Sequence, residues 1–241
     1  MAKVLKCSAN VSRCGVTIPP RTNDARRARG TPWTALSVAM HCPTAYEIAN
    51  MPAQIEIHGF RLCPFAWRTR LAAREKGVNF DWLPADASEP DPRSREHNPN
   101  RRSPLLRHGD FIIADSLVII QYIDEAFEGP ALQPGDAQGR ARMRLSIADL
   151  SSIMIDGRKE LDDESRARAK AALGNLDAKL ANGADWLGGD SPTLADIPIW
   201  PFMSILEFRG GLALDGLPRA TAYWERVRSR DSYKATNPYT G

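Results

Sequence analysis

The chain has 241 residues, 43% of them hydrophobic, with a net charge of +3. That is enough apolar material for a sizeable core, as one large domain or two small ones. No stretch approaches the ~20 consecutive apolar residues of a membrane helix. Charge is uneven: residues 1–50 hold seven basic and two acidic residues, leaving 25 basic and 27 acidic in the rest. The nearly neutral body has no nucleic-acid footprint.

Residues 1–50 carry no sustained period and include "IPPRTNDARRARGTP", a Pro/Arg-rich stretch expected to stay solvated. Three readings are open for this 1–52 extension: an Arg-rich transit peptide, a disordered arm, or an over-long gene start ahead of Met40 or Met51. Four unevenly placed cysteines (Cys7, Cys14, Cys42, Cys63) do not form a disulfide framework. A reducing, cytoplasmic setting fits them.

In the body, "QIEIHG" (54–59) alternates as a strand and "PFAWRTRLAAREKG" (64–77) reads as a helix. Pro64 sits in the first turn, where its missing N–H costs nothing, and Gly77 is a stop signal. "VNFDWLP" (78–84) alternates again, so the unit is β-α-β with parallel pairing. After a polar loop, "SPLLRHGDFIIADS" predicts a hairpin turning at His108–Asp110. "DSLVIIQYIDEAF" (115–127) predicts an apolar helix capped by Asp115 or Ser116. Beyond the Gly/Pro-rich linker 129–135, the stretches 136–160, 162–183, 193–210 and 217–230 all read as helices. The expected architecture is an α/β domain over 53–128 (βαβ-ββα) and an all-helical domain over 136–241.

Cys63 immediately precedes Pro64, at the mouth of a helix. Unpaired N–H groups and the helix dipole favour a thiolate there, and Arg61 and Arg68 add positive charge nearby in sequence. The competing reading is a buried, inert cysteine. Ala66 stands where a C-x-x-C pair would need its second cysteine, so a small thiol from solution would have to resolve any mixed disulfide. Ser103-Pro104 precedes the hairpin. If cis, it would turn the backbone of Ser103 toward an extended peptide; a plain trans strand start is the alternative. Asp115-Ser116 could grip a ligand's ammonium and carboxylate, or simply cap the helix. His58, His97 and His108 lack metal-ligand spacing, so no metal is expected.

These parts in this order resemble the soluble glutathione transferases across roughly 54–235. "RLCPFAWRTRLAAREKG" is most similar to cysteine-type members, the omega class and its bacterial relatives. "NPNRRSPLL", "IADSLVIIQYIDE" and "LGGDSPTLADIPIWP" are similar to the family's Asn-Pro…Pro segment, acid-Ser helix start and buried capping box, Thr193-x-x-Asp196. The resemblance implies a thioredoxin-like N-terminal domain and glutathione as co-substrate, with no permanently bound cofactor. It makes Cys63 the residue facing the glutathione sulfur. Ser103 would hold the cysteinyl backbone beside a cis Pro104, and Asp115 and Ser116 the γ-glutamyl end. Thr193 and Asp196 take a structural role. A second substrate would sit near helix 136–158. The implied activity is thiol transfer or dehydroascorbate reduction, with conjugation of electrophiles, or a non-catalytic protein-binding role, as alternatives. A homodimer is implied. Asp115 is one methylene shorter than the family's usual Glu. No lysine occurs between Val78 and Asn98 for the glycine carboxylate, for which Arg93, Arg95 and Arg102 are candidates.

Overall fold

The computed structural model describes residues 54–84, 102–154 and 161–239. All belong to the unit Met51–Gly241. The expectations for residues 1–52, and for Arg93, Arg95, His97 and Asn98-Pro99, lie outside the described residues.

Strand β1 (Ile55–Gly59) turns its odd positions inward: Ile55 and Ile57 are buried while Glu56 and His58 are half-exposed. Helix α1 (Pro64–Lys76) follows and stops at Gly77, whose φ of +77° is a left-handed cap that glycine adopts without penalty. Strand β2 (Phe80–Pro84) pairs parallel with β1. Strands β3 (Leu105–His108) and β4 (Phe111–Ala114) form the hairpin, and β3 lies antiparallel to β1. The sheet order is therefore β2-β1-β3-β4. Helix α2 (Ser116–Ala126) closes this half, burying Ile119, Ile120 and Ile123.

The second half is helical: α3 (Ala137–Asp149), α4 (Asp163–Lys179), α5 (Trp200–Phe208), α6 (Pro218–Ser229) and α7 (Asp231–Thr236). Three details depart from the sequence expectation. The helix expected over 136–160 ends at Asp149 and tightens into a 3-10 turn at Ser151–Ile153, where the Ile153 and Met154 N–H groups bond the carbonyls three residues back, those of Leu150 and Ser151. The stretch 193–210 becomes helical only at Ile197, through a 3-10 turn at Ile197–Ile199 ahead of α5; Pro198 and Pro201 withhold N–H donors there. Helix α7 has too few residues for a legible period.

Two apolar cores result. The smaller, under the sheet, gathers Ile55, Ile57, Ala73, Val78, Leu106, Ile119 and Ile123. The larger fills the helical half and takes in Trp67, Leu71 and Ala72 of α1. Trp67, Trp200 and Trp224 are core residues; Trp82 stays half-exposed. Helix α1 thus belongs to both cores, and the candidate site lies at its entrance.

Candidate functional site

Cys63 occupies the N-cap of α1, with extended backbone (φ −71°, ψ 117°). Its carbonyl accepts the Trp67 N–H at 2.9 Å and its N–H donates to the Phe60 carbonyl at 3.0 Å. The side chain makes no capping bond, so the helix N–H groups ahead of it keep their positive field. The thiol is free and half-buried, and its Sγ lies 3.8 Å from the carbonyl oxygen of Ser103.

The Ser103–Pro104 peptide is cis. Ser103 Oγ accepts the Phe60 N–H at 3.2 Å, tying the loop that leads to Cys63 onto the start of the hairpin. Gly59 permits this convergence: a Cβ there would come within 2.7 Å of Ala66 Cβ and 2.9 Å of Ser103 Oγ.

Asp115 is the N-cap of α2. Its Oδ1 accepts the Leu117 N–H at 3.0 Å and its carbonyl accepts the Ile119 N–H at 2.8 Å. Its φ of +82° is unusual for a residue with a side chain and costs of order 1–3 kcal/mol. Its other oxygen, Oδ2, lies 3.7 Å from Arg102, an exposed pair.

Ser116 is buried and meets Arg68, which comes from α1. Arg68 Nε donates to Ser116 Oγ at 2.9 Å, Nη2 donates to the same oxygen, and Nη1 points at the Met154 sulfur at 3.7 Å. The guanidinium also covers the Phe65 ring at 4.9 Å. Burial lowers Arg68 to about 10, with the charges of Asp115 and Cys63 pulling it back up, so it stays a cation at neutral pH. A residue expected only to lend charge from nearby in sequence thereby joins the Cys63 end of the site to the Asp115-Ser116 end.

Two further residues gather here that the sequence reading missed. Arg70 is buried against Trp82, its guanidinium 4.4 Å from the ring centre. Its spacing of seven from Cys63, two helical turns, was the available signal. Tyr239 stacks on Phe208 at 5.1 Å and meets Trp67 at 5.9 Å. Burial pushes its hydroxyl up; Arg209 opposes that shift and the Cys63 charge adds to it. Nothing local in the sequence marks Tyr239 as a neighbour of Cys63.

Thr193 and Asp196 lie in the larger core's polar centre. Asp196 accepts the Thr193 N–H at 2.9 Å and the Thr193 hydroxyl at 3.1 Å, while Thr193 Oγ1 accepts the Ala195 N–H at 3.1 Å. Asp196 also accepts the Leu187 N–H at 2.8 Å and the Tyr223 hydroxyl at 3.2 Å.

Comparison with known proteins identifies the family. The family model for the glutathione S-transferase N-terminal domain matches residues 57–131, and that for the C-terminal domain matches 141–231. Glutathione S-transferase U28 of Arabidopsis thaliana is 30% identical over 201 residues, covering 77% of this chain and 89% of that protein. Glutathione S-transferase omega-1 of Mus musculus is 28% identical over 162 residues, 64% of this chain and 68% of that one. Among solved structures, a glutathione S-transferase from Methylobacillus flagellatus with GSH bound superposes with a TM-score of 0.65 at 22% identity, covering 76% of this chain and 98% of that one. The chain belongs to the glutathione S-transferase family, with a thioredoxin-like domain followed by a helical one.

Proposed function

We propose that the chain is a glutathione-dependent transferase that works through Cys63, most naturally by thiol transfer. The observation that carries this reading is the free thiol at the α1 N-cap, facing the Ser103 carbonyl beside a cis Ser103–Pro104 peptide. The backbone of Ser103 at that turn suits the cysteinyl part of glutathione, which would lie as a short strand against it. Asp115, at a helix N-terminus and half-exposed, suits the γ-glutamyl ammonium. Ser116 suits the carboxylate: Arg68 occupies both acceptor sites of its oxygen, leaving its own O–H to donate.

The chemistry balances with glutathione alone. The Cys63 thiolate attacks the glutathionyl sulfur of a mixed disulfide, forming Cys63–S–S–glutathione and releasing the acceptor thiol, which takes up a proton. A second glutathione thiolate attacks the glutathionyl sulfur of that bond, giving oxidised glutathione and restoring the Cys63 thiolate. Conjugation to an electrophile instead needs a hydroxyl donor on the glutathione sulfur; Tyr239, electrostatically coupled to Cys63, is the group that favours this second reading. Assembly as a homodimer, and work in a reducing cytoplasm, belong to the same proposal.

The full chain incubated with oxidised glutathione should gain one glutathionyl group on the peptide carrying Cys63, seen by mass spectrometry. Cys63→Ser should abolish thiol-transfer turnover. Undiminished turnover in that variant would overturn the cysteine mechanism, and a rise in conjugation would support the second reading.

A further inference from the structure

We infer that Arg68 is the positioning residue of the site's γ-glutamyl end: its guanidinium fork fills both acceptor positions of the Ser116 hydroxyl, so that this hydroxyl acts only as a donor and selects a ligand carboxylate over an uncharged amide in the same place. The inference rests on the glutathione-binding reading above. It deepens that reading by assigning the specificity of the subsite to a residue of α1 that itself touches no ligand.

The case begins with how a buried cation is compensated. Arg68 is 3% exposed and has no carboxylate at ion-pair distance among the described residues. Lys76, near the other end of α1, pairs with Asp124 at 2.8 Å. Arg68 instead turns two N–H groups onto a neutral oxygen, Ser116 Oγ, from Nε at 2.9 Å and from Nη2. A buried guanidinium normally ends on a carboxylate, because a neutral acceptor returns less of the desolvation cost. An anion held by the Ser116 hydroxyl would stand one hydrogen bond away from that cation, and hydrogen bonds in series strengthen one another.

The geometry leaves the hydroxyl one role. It has a single proton and two lone pairs, and the two Arg68 donors take the lone pairs. The guanidinium plane is itself clamped, over the Phe65 ring at 4.9 Å and with Nη1 3.7 Å from the Met154 sulfur. Ser116 is the first residue of α2, so no preceding turn of that helix offers a carbonyl to its proton. Its backbone N–H is one of the helix-start donors without an intrahelical partner. Two donors on one residue match the two oxygens of a carboxylate. The acceptor beside them is Asp115 Oδ2, since Oδ1 is taken by the Leu117 N–H. An amide in place of the carboxylate loses the charge and one acceptor, and brings N–H groups that Ser116 cannot accept. Without Arg68 the hydroxyl recovers its lone pairs and can serve either ligand.

The test is calorimetric titration of the full chain with S-methylglutathione and with its analogue whose γ-glutamyl α-carboxylate is a primary amide. The unsubstituted chain should favour the carboxylate form about thirtyfold, the worth of one hydrogen bond to a charged group. Arg68→Met should weaken S-methylglutathione binding about tenfold and shrink the preference to about threefold. Arg68→Lys keeps the charge but not the paired donors and should fall with Arg68→Met. Arg68→Met combined with Ser116→Ala should bind S-methylglutathione about as well as Ser116→Ala alone, because one residue acts through the other. Arg74→Met, which removes a cation stacked on Phe80 farther along α1, should leave both ligands unaffected. The inference is overturned if the two losses multiply in the double variant, if Arg68→Met keeps the full preference for the carboxylate, if Arg68→Lys matches the unsubstituted chain, or if Arg74→Met loses as much as Arg68→Met. If circular dichroism shows Arg68→Met unfolded, Arg68→Gln is read by the same criteria. An unsubstituted chain that binds neither ligand would end the glutathione reading and this inference with it; normal binding with multiplying losses would end the inference alone.

Discussion

Arg68 places two N–H groups on the one hydroxyl oxygen of Ser116, joining α1 to the first residue of α2 in a buried setting. Ser116→Ala removes that acceptor and strands two guanidinium donors. We expect a loss of about 2 kcal/mol in urea unfolding and about a tenfold weaker glutathione affinity by calorimetry. An unchanged affinity in a folded Ser116→Ala protein would remove Ser116 from the binding site.

Glu75 and Arg230 hold the two halves together. Arg230 donates from Nε and Nη2 to the two oxygens of Glu75 at 2.7 and 2.6 Å, and Ser232 adds a third donor. The Glu75 side chain is 6% exposed and that of Arg230 32%, so the pair sits between the surface and buried regimes. Glu75→Gln should cost about 2 kcal/mol in urea unfolding, and the loss should persist in high salt, since the carboxylate is shielded from ions.

Asp196 makes stability depend on pH in an unusual sense. Burial raises it to about 6, with the Thr193 and Leu187 N–H groups and the Thr193 and Tyr223 hydroxyls limiting the rise. Its folded value lies above its unfolded one. Its contribution is therefore complete below about pH 4 and is lost as pH rises through about 6. Asp177 runs the other way: the Ala220 N–H and Arg219 hold it below the usual carboxylate range, so its contribution is lost as pH falls. Asp196→Asn turns one acceptor into a donor among existing donors and should cost about 3 kcal/mol. That deficit should narrow between pH 4 and 6 in urea titrations at fixed salt. A deficit that widens over that range would contradict the assignment.

Gly59→Ala should perturb the site directly. The added methyl meets Ala66 Cβ at 2.7 Å and Ser103 Oγ at 2.9 Å, and Ala66 has no flexible end that could give way. We expect about 2 kcal/mol of destabilisation together with altered alkylation of Cys63, because Ser103 is the residue displaced.

Much of the first half is legible because its signals are local. The alternation of Gln54–Gly59, the Pro64 and Gly77 boundaries of α1 and the turn before Phe111 each occupy a few consecutive residues. Cys63, Asp115 and Ser116 are legible for the same reason: each stands at a helix start that the sequence itself announces. What was missed depends on contacts between distant residues. Tyr239 reaches Trp67 across more than 170 residues of chain, and α7 is positioned by Glu75 rather than by any period of its own. Arg70 reads as an ordinary solvated charge on a helix; only the packing of Trp82 against it turns it into a buried one. The end of α3 at Asp149 was likewise hidden, since the apolar pattern runs on through Ile153 while the backbone tightens.

Helix α1 lends Trp67, Leu71 and Ala72 to one core and Ala73 to the other. It therefore has no way to open by itself. Amide protons from Trp67 to Ala73 should exchange with deuterium only when the whole fold comes apart, at the slowest rate in the molecule. The Cys63 sulfur is thus mounted on the part of the protein that moves least, and any adaptation to differently shaped partners falls to the segments facing it.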